Sequence, residues 1–169
     1  MQPQEEKTMS HSRHLFPLAS LLLLCLCLTP LSAKTIRHYD SSGRSTGRTE
    51  IGNDGVARHY DQNGVYTGRS VTSPDGTTRY YDKDGRSQGR AVSSPSGTTR
   101  YYDKDGRSQG RSESNSSGTT RYYDKDGRSQ GRSESNSSGT TRHYDKDGRS
   151  QGRDNGYLTP AQNRNPAKR

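Results

Sequence analysis

Six tandem copies of a 21-residue unit predict an all-β repeat protein, built as a short meander of tandem β-hairpins or as a β-solenoid. Three observations carry that expectation. The Tyr-Asp pair recurs at Tyr39, Tyr60, Tyr81, Tyr102, Tyr123 and Tyr144, a constant spacing of 21. Each unit holds two Gly-containing turn signals, and Gly supplies the positive φ that tight hairpin turns require. The segments between are short and rich in Thr, Tyr and Ser, which disfavours helix.

Residues 1–33 read as a removable leader. From Leu15 the chain runs LFPLASLLLLCLCLTPLSA, apolar, broken by Pro30, ending on the small Ala33, and preceded by His11, Arg13 and His14. A basic start, an apolar centre and a small-residue cleavage site are the order of a signal peptide. The uninterrupted apolar part is shorter than the roughly 20 residues a spanning helix needs, so no membrane span is expected after cleavage. The acidic start MQPQEEKT suggests that translation begins at Met9 rather than Met1. Leu24 and Leu26 precede Cys25 and Cys27 where a lipoprotein site wants a small residue. Cleavage after Ala33 leaves no cysteine, which excludes disulfides, thiolate metal sites and cysteine nucleophiles from the mature chain. The expected destination is periplasmic or secreted.

Residues 34–153 hold the six units, and 154–169 read as a disordered polar tail. The best-kept copies, 98–118 and 119–139, both spell TTRYYDKDGRSQGRSESNSSG, which suggests recent duplication. Units one and two diverge, with Ser42-Gly43 and Asn63-Gly64 for Asp-Gly and with Tyr66 for Ser, as a terminal cap would. One turn signal is the Asp84-Gly85 type, and the other is Asp54-Gly55, Asp75-Gly76 or the Ser-Gly pairs ending at Gly97, Gly118 and Gly139. Two short strands per unit follow.

After Ala33 the chain keeps two Ile, four Val and one Leu, and its net charge is +9. So few aliphatic side chains make stability marginal and a largely disordered chain the alternative. Eleven Tyr are the counterweight, so any core is a tyrosine core. Units that stack only on their neighbours are expected to fray from the ends of the array.

Strand alternation puts Thr77, Arg79 and Tyr81 on one face and Thr78, Tyr80 and Asp82 on the other. The repeated Tyr81, Tyr102 and Tyr123 are expected to lie over Gly89, Gly110 and Gly131 as aromatic rescue of strand glycines. The opposite face would carry Tyr80, Tyr101 and Tyr122, or His38, His59 and His143, among arginines in cation–π contact.

The string GTTRYYDKDGR resembles the YD repeat of the RHS family, and units one and three to six hold YDxxGR. That resemblance implies curling β-sheets that form shells or act at cell surfaces, and it carries no catalytic residues. Ser87, Ser108 and Ser129 stand where that family usually has Leu, which removes its apolar core residue. The unit is also similar to MORN-type hairpin repeats with paired aromatics and Gly.

Candidate chemistry is sparse. The Asp82 and Asp84 pair resembles the start of a calcium loop, but Arg, Ser and Gln follow where further oxygen ligands belong. A turn-capping Asp beside an Arg-paired Asp accounts for the same string. The three His interchange with Tyr, which points to packing rather than metal. No nucleophile with its base, carboxylate pair or metal set is discernible, so neither enzyme nor cofactor is expected. The GRSQGR string places two arginines four residues apart, about 13 Å at strand rise. Arg86, Arg90, Arg107, Arg111, Arg128 and Arg132, with Tyr80, Tyr101 and Tyr122, are the candidate polyanion-binding set, for an acidic polysaccharide, a lipopolysaccharide or another envelope polyanion. Tyr81, Tyr102, Tyr123, Gly89, Gly110 and Gly131 are the candidate structural set. The function expected is a non-catalytic binding or structural module at the cell envelope, with a passive extracellular spacer or matrix component as the alternative.

Overall fold

The computed structural model describes residues 34–156, so the leader and most of the tail lie outside the described residues. Each unit forms one hairpin: β1 (Lys34–Tyr39) with β2 (Ser45–Ile51), β3 (Val56–Asp61) with β4 (Tyr66–Thr72), and β5 (Thr77–Asp82) with β6 (Ser87–Ser93). Then follow β7 (Thr98–Tyr102) with β8 (Ser108–Ser114), β9 (Thr119–Tyr123) with β10 (Ser129–Ser135), and β11 (Thr140–Tyr144) with β12 (Ser150–Asn155). All pairing is antiparallel, and the two turn signals of units one to five and the first of unit six are hairpin turns.

The turns form where the sequence places them, for a local reason. In unit three Asp82 Oδ1 accepts hydrogen bonds from the amides of Asp84 and Arg86, at 3.0 and 2.8 Å. The Gly85 amide donates to the Asp82 carbonyl, closing a four-residue turn. Asp103, Asp124 and Asp145 repeat the arrangement. Asp84 pairs with Arg86 at 2.7 Å. The DKDG string is thus a capped turn, in which a side chain substitutes for a backbone acceptor.

The sheet does not stay open. β12 returns to pair with β1 through Arg37 with Asn155, His38 with Asp154, and Tyr39 with Arg153, so the twelve strands close into a barrel. The open meander and the solenoid are both corrected, and units one and two do not form an end of the sheet, since β1 pairs on both sides. In a ring every hairpin has two neighbours, and closure removes the unpaired edges. Tyr66 packs edge-on against Tyr60, with ring centroids 5.9 Å apart. β12 also runs through Asp154 and Asn155, which the sequence analysis assigned to the tail.

Alternation then sorts the side chains. Ile36, Thr49, Ala57, His59, Ser70, Thr78, Tyr80, Ala91, Thr99, Tyr101 and Ser112 are buried and share the inward face. The apolar centre is Tyr80, Ala91 and Tyr101, so the core is partly tyrosine, filled out by Thr and Ser. In each hairpin one strand carries a bulge: Tyr80 faces Gly89 and Tyr81 faces Ser87, leaving Gln88 as the extra residue. The bulge reverses the expected pairing of rings and glycines. Tyr80, Tyr101 and Tyr122 lie opposite Gly89, Gly110 and Gly131, whereas Tyr81, Tyr102 and Tyr123 point outward.

Gly110 shows why glycine stands here. Its φ is +121°, and a Cβ would overlap the carbonyl oxygen of Tyr123 on the next hairpin. The same approach brings Gly152 against the Tyr39 carbonyl, so the seam between the first and last units repeats the geometry of the internal joints.

Candidate functional site

The outer wall is arginine on tyrosine. Each hairpin sets two arginines directly opposite one another: Arg37 with Arg48, Arg58 with Arg69, Arg79 with Arg90, Arg100 with Arg111, Arg121 with Arg132, and Arg142 with Arg153. Like charges opposed across a ladder are destabilising. The second arginine of each pair lies over a tyrosine of the following hairpin. Arg90 sits 4.7 Å from the centroid of Tyr102, Arg111 4.5 Å from Tyr123 and Arg132 4.5 Å from Tyr144. Arg48 covers Tyr60, Arg69 covers Tyr81, and at the seam Arg153 covers Tyr39 at 5.0 Å. The expected cation–π row therefore exists, but on the outward tyrosines, because Arg79 and Tyr81 share a strand face and Tyr80 does not.

The candidate residues divide accordingly. Arg90, Arg111 and Arg132 stand on the wall. Arg86, Arg107 and Arg128 lie in the turns at one end of the barrel, paired with Asp84, Asp105 and Asp126 at 2.7, 3.2 and 3.1 Å. The bulge at Gln88 separates the two arginines of GRSQGR, so they do not share one strand face. Tyr80 and Tyr101 are buried on the inward side and Tyr122 is half-buried. Tyr101, Tyr122 and Arg111 do meet at a cleft of about 540 Å³, together with Gln109, Gln130 and Tyr123. The candidate structural residues Tyr81, Tyr102 and Tyr123 are the outward rings under the arginines, while Gly89, Gly110 and Gly131 keep their structural place.

Inside, in five of the six units the residue after the first-strand Arg bonds to the residue eleven places on, and in unit three Tyr80 instead packs with Ala91. Tyr101 Oη meets Ser112 Oγ at 2.9 Å and Tyr122 Oη meets Ser133 Oγ at 3.0 Å. His59 Nε2 meets Ser70 Oγ at 3.3 Å, and His38 Nε2 meets Thr49 Oγ1 at 2.8 Å. In unit six the partner is a carboxylate: His143 Nε2 lies 2.8 Å from Asp154 Oδ2. Asp154 Oδ1 also holds His38 Nδ1 across the seam at 2.7 Å. Thr49 Oγ1 continues to His59 Nδ1 at 3.0 Å. One polar chain therefore runs His143, Asp154, His38, Thr49, His59, Ser70 through the closing strands. Burial opposes the charge on Asp154, but the hydrogen bonds from His143 and His38 outweigh it and hold the carboxyl well below the usual carboxylate range.

Burial, with a smaller contribution from the charge of His38, pushes His59 down to about 4. Between about pH 6.5 and 4 the unfolded chain binds the proton that folded His59 refuses, so stability falls as pH drops through that window, by at most about 3 kcal/mol. His59→Tyr, which rebuilds against Ser70 the pair seen at Tyr101 and Ser112, is expected to remove that slope. Urea unfolding at pH 4.5 and 7.5 measures it, and an unchanged slope would contradict the assignment.

No family description matches this chain, and no curated protein does. Among solved structures it is similar to BamB from Moraxella catarrhalis over 64% of this chain and 60% of that one, at 11% identity and a TM-score of 0.32. A TarM mutant of S. aureus in complex with fondaparinux, alpha-GlcNAc-glycerol and UDP matches over 62% of this chain and 21% of its own, at 14% identity and a TM-score of 0.24. The chain spans under two thirds of the first and about a fifth of the second. Neither likeness is close enough to bring that protein's properties across.

The residue that the sequence reading missed is Asp154. Counting 21 residues from Ser133 reaches it, so the repeat period alone places it at the inward position of unit six.

Proposed function

We propose that this protein is an exported, non-catalytic binding module of the cell envelope, which holds anionic polymers against its outer wall of arginine and tyrosine. The observation that carries the reading is the set of six opposed arginine pairs. A wall under selection for stability alone would place a carboxylate opposite each arginine, whereas here like charges face each other in every hairpin. Arginine is suited to the task because its planar fork meets carboxylate, sulfate and phosphate groups in pairs of hydrogen bonds and stacks on aromatic rings. The inward polar groups bond largely among themselves, which suits a scaffold rather than a reaction centre.

A passive spacer draws no support from this geometry. A closed ring gains no length from an added unit, and a spacer needs no belt of opposed arginines. The reading is tested by passing the protein over immobilised heparin, with neutral dextran as control. Retention that weakens steeply as salt rises is the expected result, because bound counterions are released on contact. Equal passage through both columns would overturn it.

A further inference from the structure

We infer that the sector of the wall formed by β4 to β7 is the docking surface for an acidic polysaccharide, held by Arg69, Arg79, Arg90 and Arg100 around Val71 and Val92. The inference rests on the reading above and adds to it a place and a ligand class.

The belt is not equally charged around the ring. In units one, four and five a glutamate two residues on takes the Nε–H of the wall arginine: Glu50 from Arg48 at 2.8 Å, Glu113 from Arg111 at 2.8 Å, and Glu134 from Arg132 at 2.7 Å. Those glutamates also stand opposite Arg58, Arg121 and Arg142 of the next hairpin. Units two and three have Val71 and Val92 at that position, opposite Arg79 and Arg100. Arg69 and Arg90 keep their tyrosines but have no carboxylate, and none of the four arginines forms an ion pair among the described residues. Asp75, in the turn before β5, accepts from the Thr77 amide of its own turn. From β8 to β11 four wall arginines share two glutamates. From β12 to β3, Glu50 and Asp54 serve Arg48 and Arg58, the latter pair at 3.1 Å, while unit six has Asn155 at the glutamate position, opposite Arg37, so only Arg153 and Arg37 lack a carboxylate there. The sector from β4 to β7 alone presents four successive wall arginines, none with a glutamate two residues on or directly opposite.

Its remaining surface selects the ligand. Val92 is 38% exposed, an apolar patch among the guanidinium groups. Four adjacent strands make a strip about 15 Å across, which matches several sugar residues laid over it. An acidic polysaccharide alternates carboxylate or sulfate groups with the C–H faces of its rings, so the forks take the charges and the valines take the ring faces. Nucleic acid fits less well, since bases stack on open aromatic faces. The faces of Tyr81 and Tyr102 are already covered by Arg69 and Arg90.

The test exchanges the distinguishing residues. Val71→Glu with Val92→Glu gives units two and three the glutamates of units four and five. Glu113→Val with Glu134→Val opens the neighbouring sector from β8 to β11, and far-ultraviolet circular dichroism checks that both variants keep the β spectrum. Binding of a heparin octasaccharide is measured against salt, with single-stranded DNA of equal charge beside it. The expected result is a loss of about tenfold or more and a shallower salt dependence for the double glutamate variant, with tighter binding for the double valine variant. Tighter binding of heparin than of DNA is part of the expectation. Wild-type binding that both exchanges leave unchanged would overturn the inference while leaving the anion-binding reading intact. Tighter binding to DNA would overturn the ligand class. No binding by the wild type would overturn both.

Discussion

Replacing Asp154 by alanine is expected to lower the stability of the barrel by about 3 kcal/mol, because it removes a buried carboxylate that accepts from two half-buried histidines at once. His38 and His143 approach the carboxylate from the strands on either side. The seam ladder is also short, with three residue pairs, so this side-chain bridge carries a larger part of closure than any Tyr–Ser pair carries elsewhere. The exposed turn residue Asp147 supplies the comparison. It too pairs with two cations, but in open solvent, where such pairs contribute well under about 1 kcal/mol. Asp147→Ala is therefore expected to be nearly silent. A double change, Asp154→Ser with His143→Tyr, copies the Tyr122 and Ser133 pair and is expected to recover part of the loss. Urea unfolding of the four proteins at neutral pH measures all of this, and a silent Asp154→Ala would contradict the seam. Since the carboxyl is held below its ordinary range, its stabilisation is present at neutral pH and is lost as pH falls below about 4.

Gly110→Ala is expected to cost more, about 4 kcal/mol, by combining a backbone conformation that side chains rarely adopt with overlap against a neighbouring strand. The obstruction is the Tyr123 carbonyl oxygen, part of a sheet backbone that cannot move without disturbing the next hairpin. Gly106 separates the two contributions. It too has a positive φ, +83°, but nothing lies within 4 Å of where its Cβ would be. Gly106→Ala is expected to cost only about 1 kcal/mol, the left-handed conformation alone. Equal losses at the two positions, read from thermal or urea midpoints, would mean that the close approach between hairpins does not exist in solution.

The hairpins were legible in the sequence because turn chemistry is local. Asp82 with Gly85, and Asn115 with Gly118, determine their turns through bonds within four residues, and Thr-Tyr segments between them have no competing helical pattern. Closure was not legible, because nothing in one unit states how many units complete a ring. The curvature that brings β12 to β1 accumulates from the bulge at Gln88 and its five counterparts. That bulge also shifts register by one, which is why the rings opposite the glycines are Tyr80, Tyr101 and Tyr122 rather than their neighbours. The arginine belt was half legible. Strand alternation correctly separates Arg79 from Tyr80, but the turn position of Arg86 and the neutralisation of Arg111 by Glu113 depend on where the strands begin and pair. The position of Asp154 follows from the 21-residue period, but its pairing with His38 depends on closure, which brings β12 beside β1.

Closure of the ring completes both the inner polar chain and the outer belt. Residue-resolved amide hydrogen exchange tests it most directly. Protection at β1 and β12, including the amides of the Arg37 to Tyr39 segment, is expected to be comparable with that of β6 and β7 half a turn away. Protection that declines progressively from β6 and β7 toward both terminal strands would describe an open array and would contradict closure.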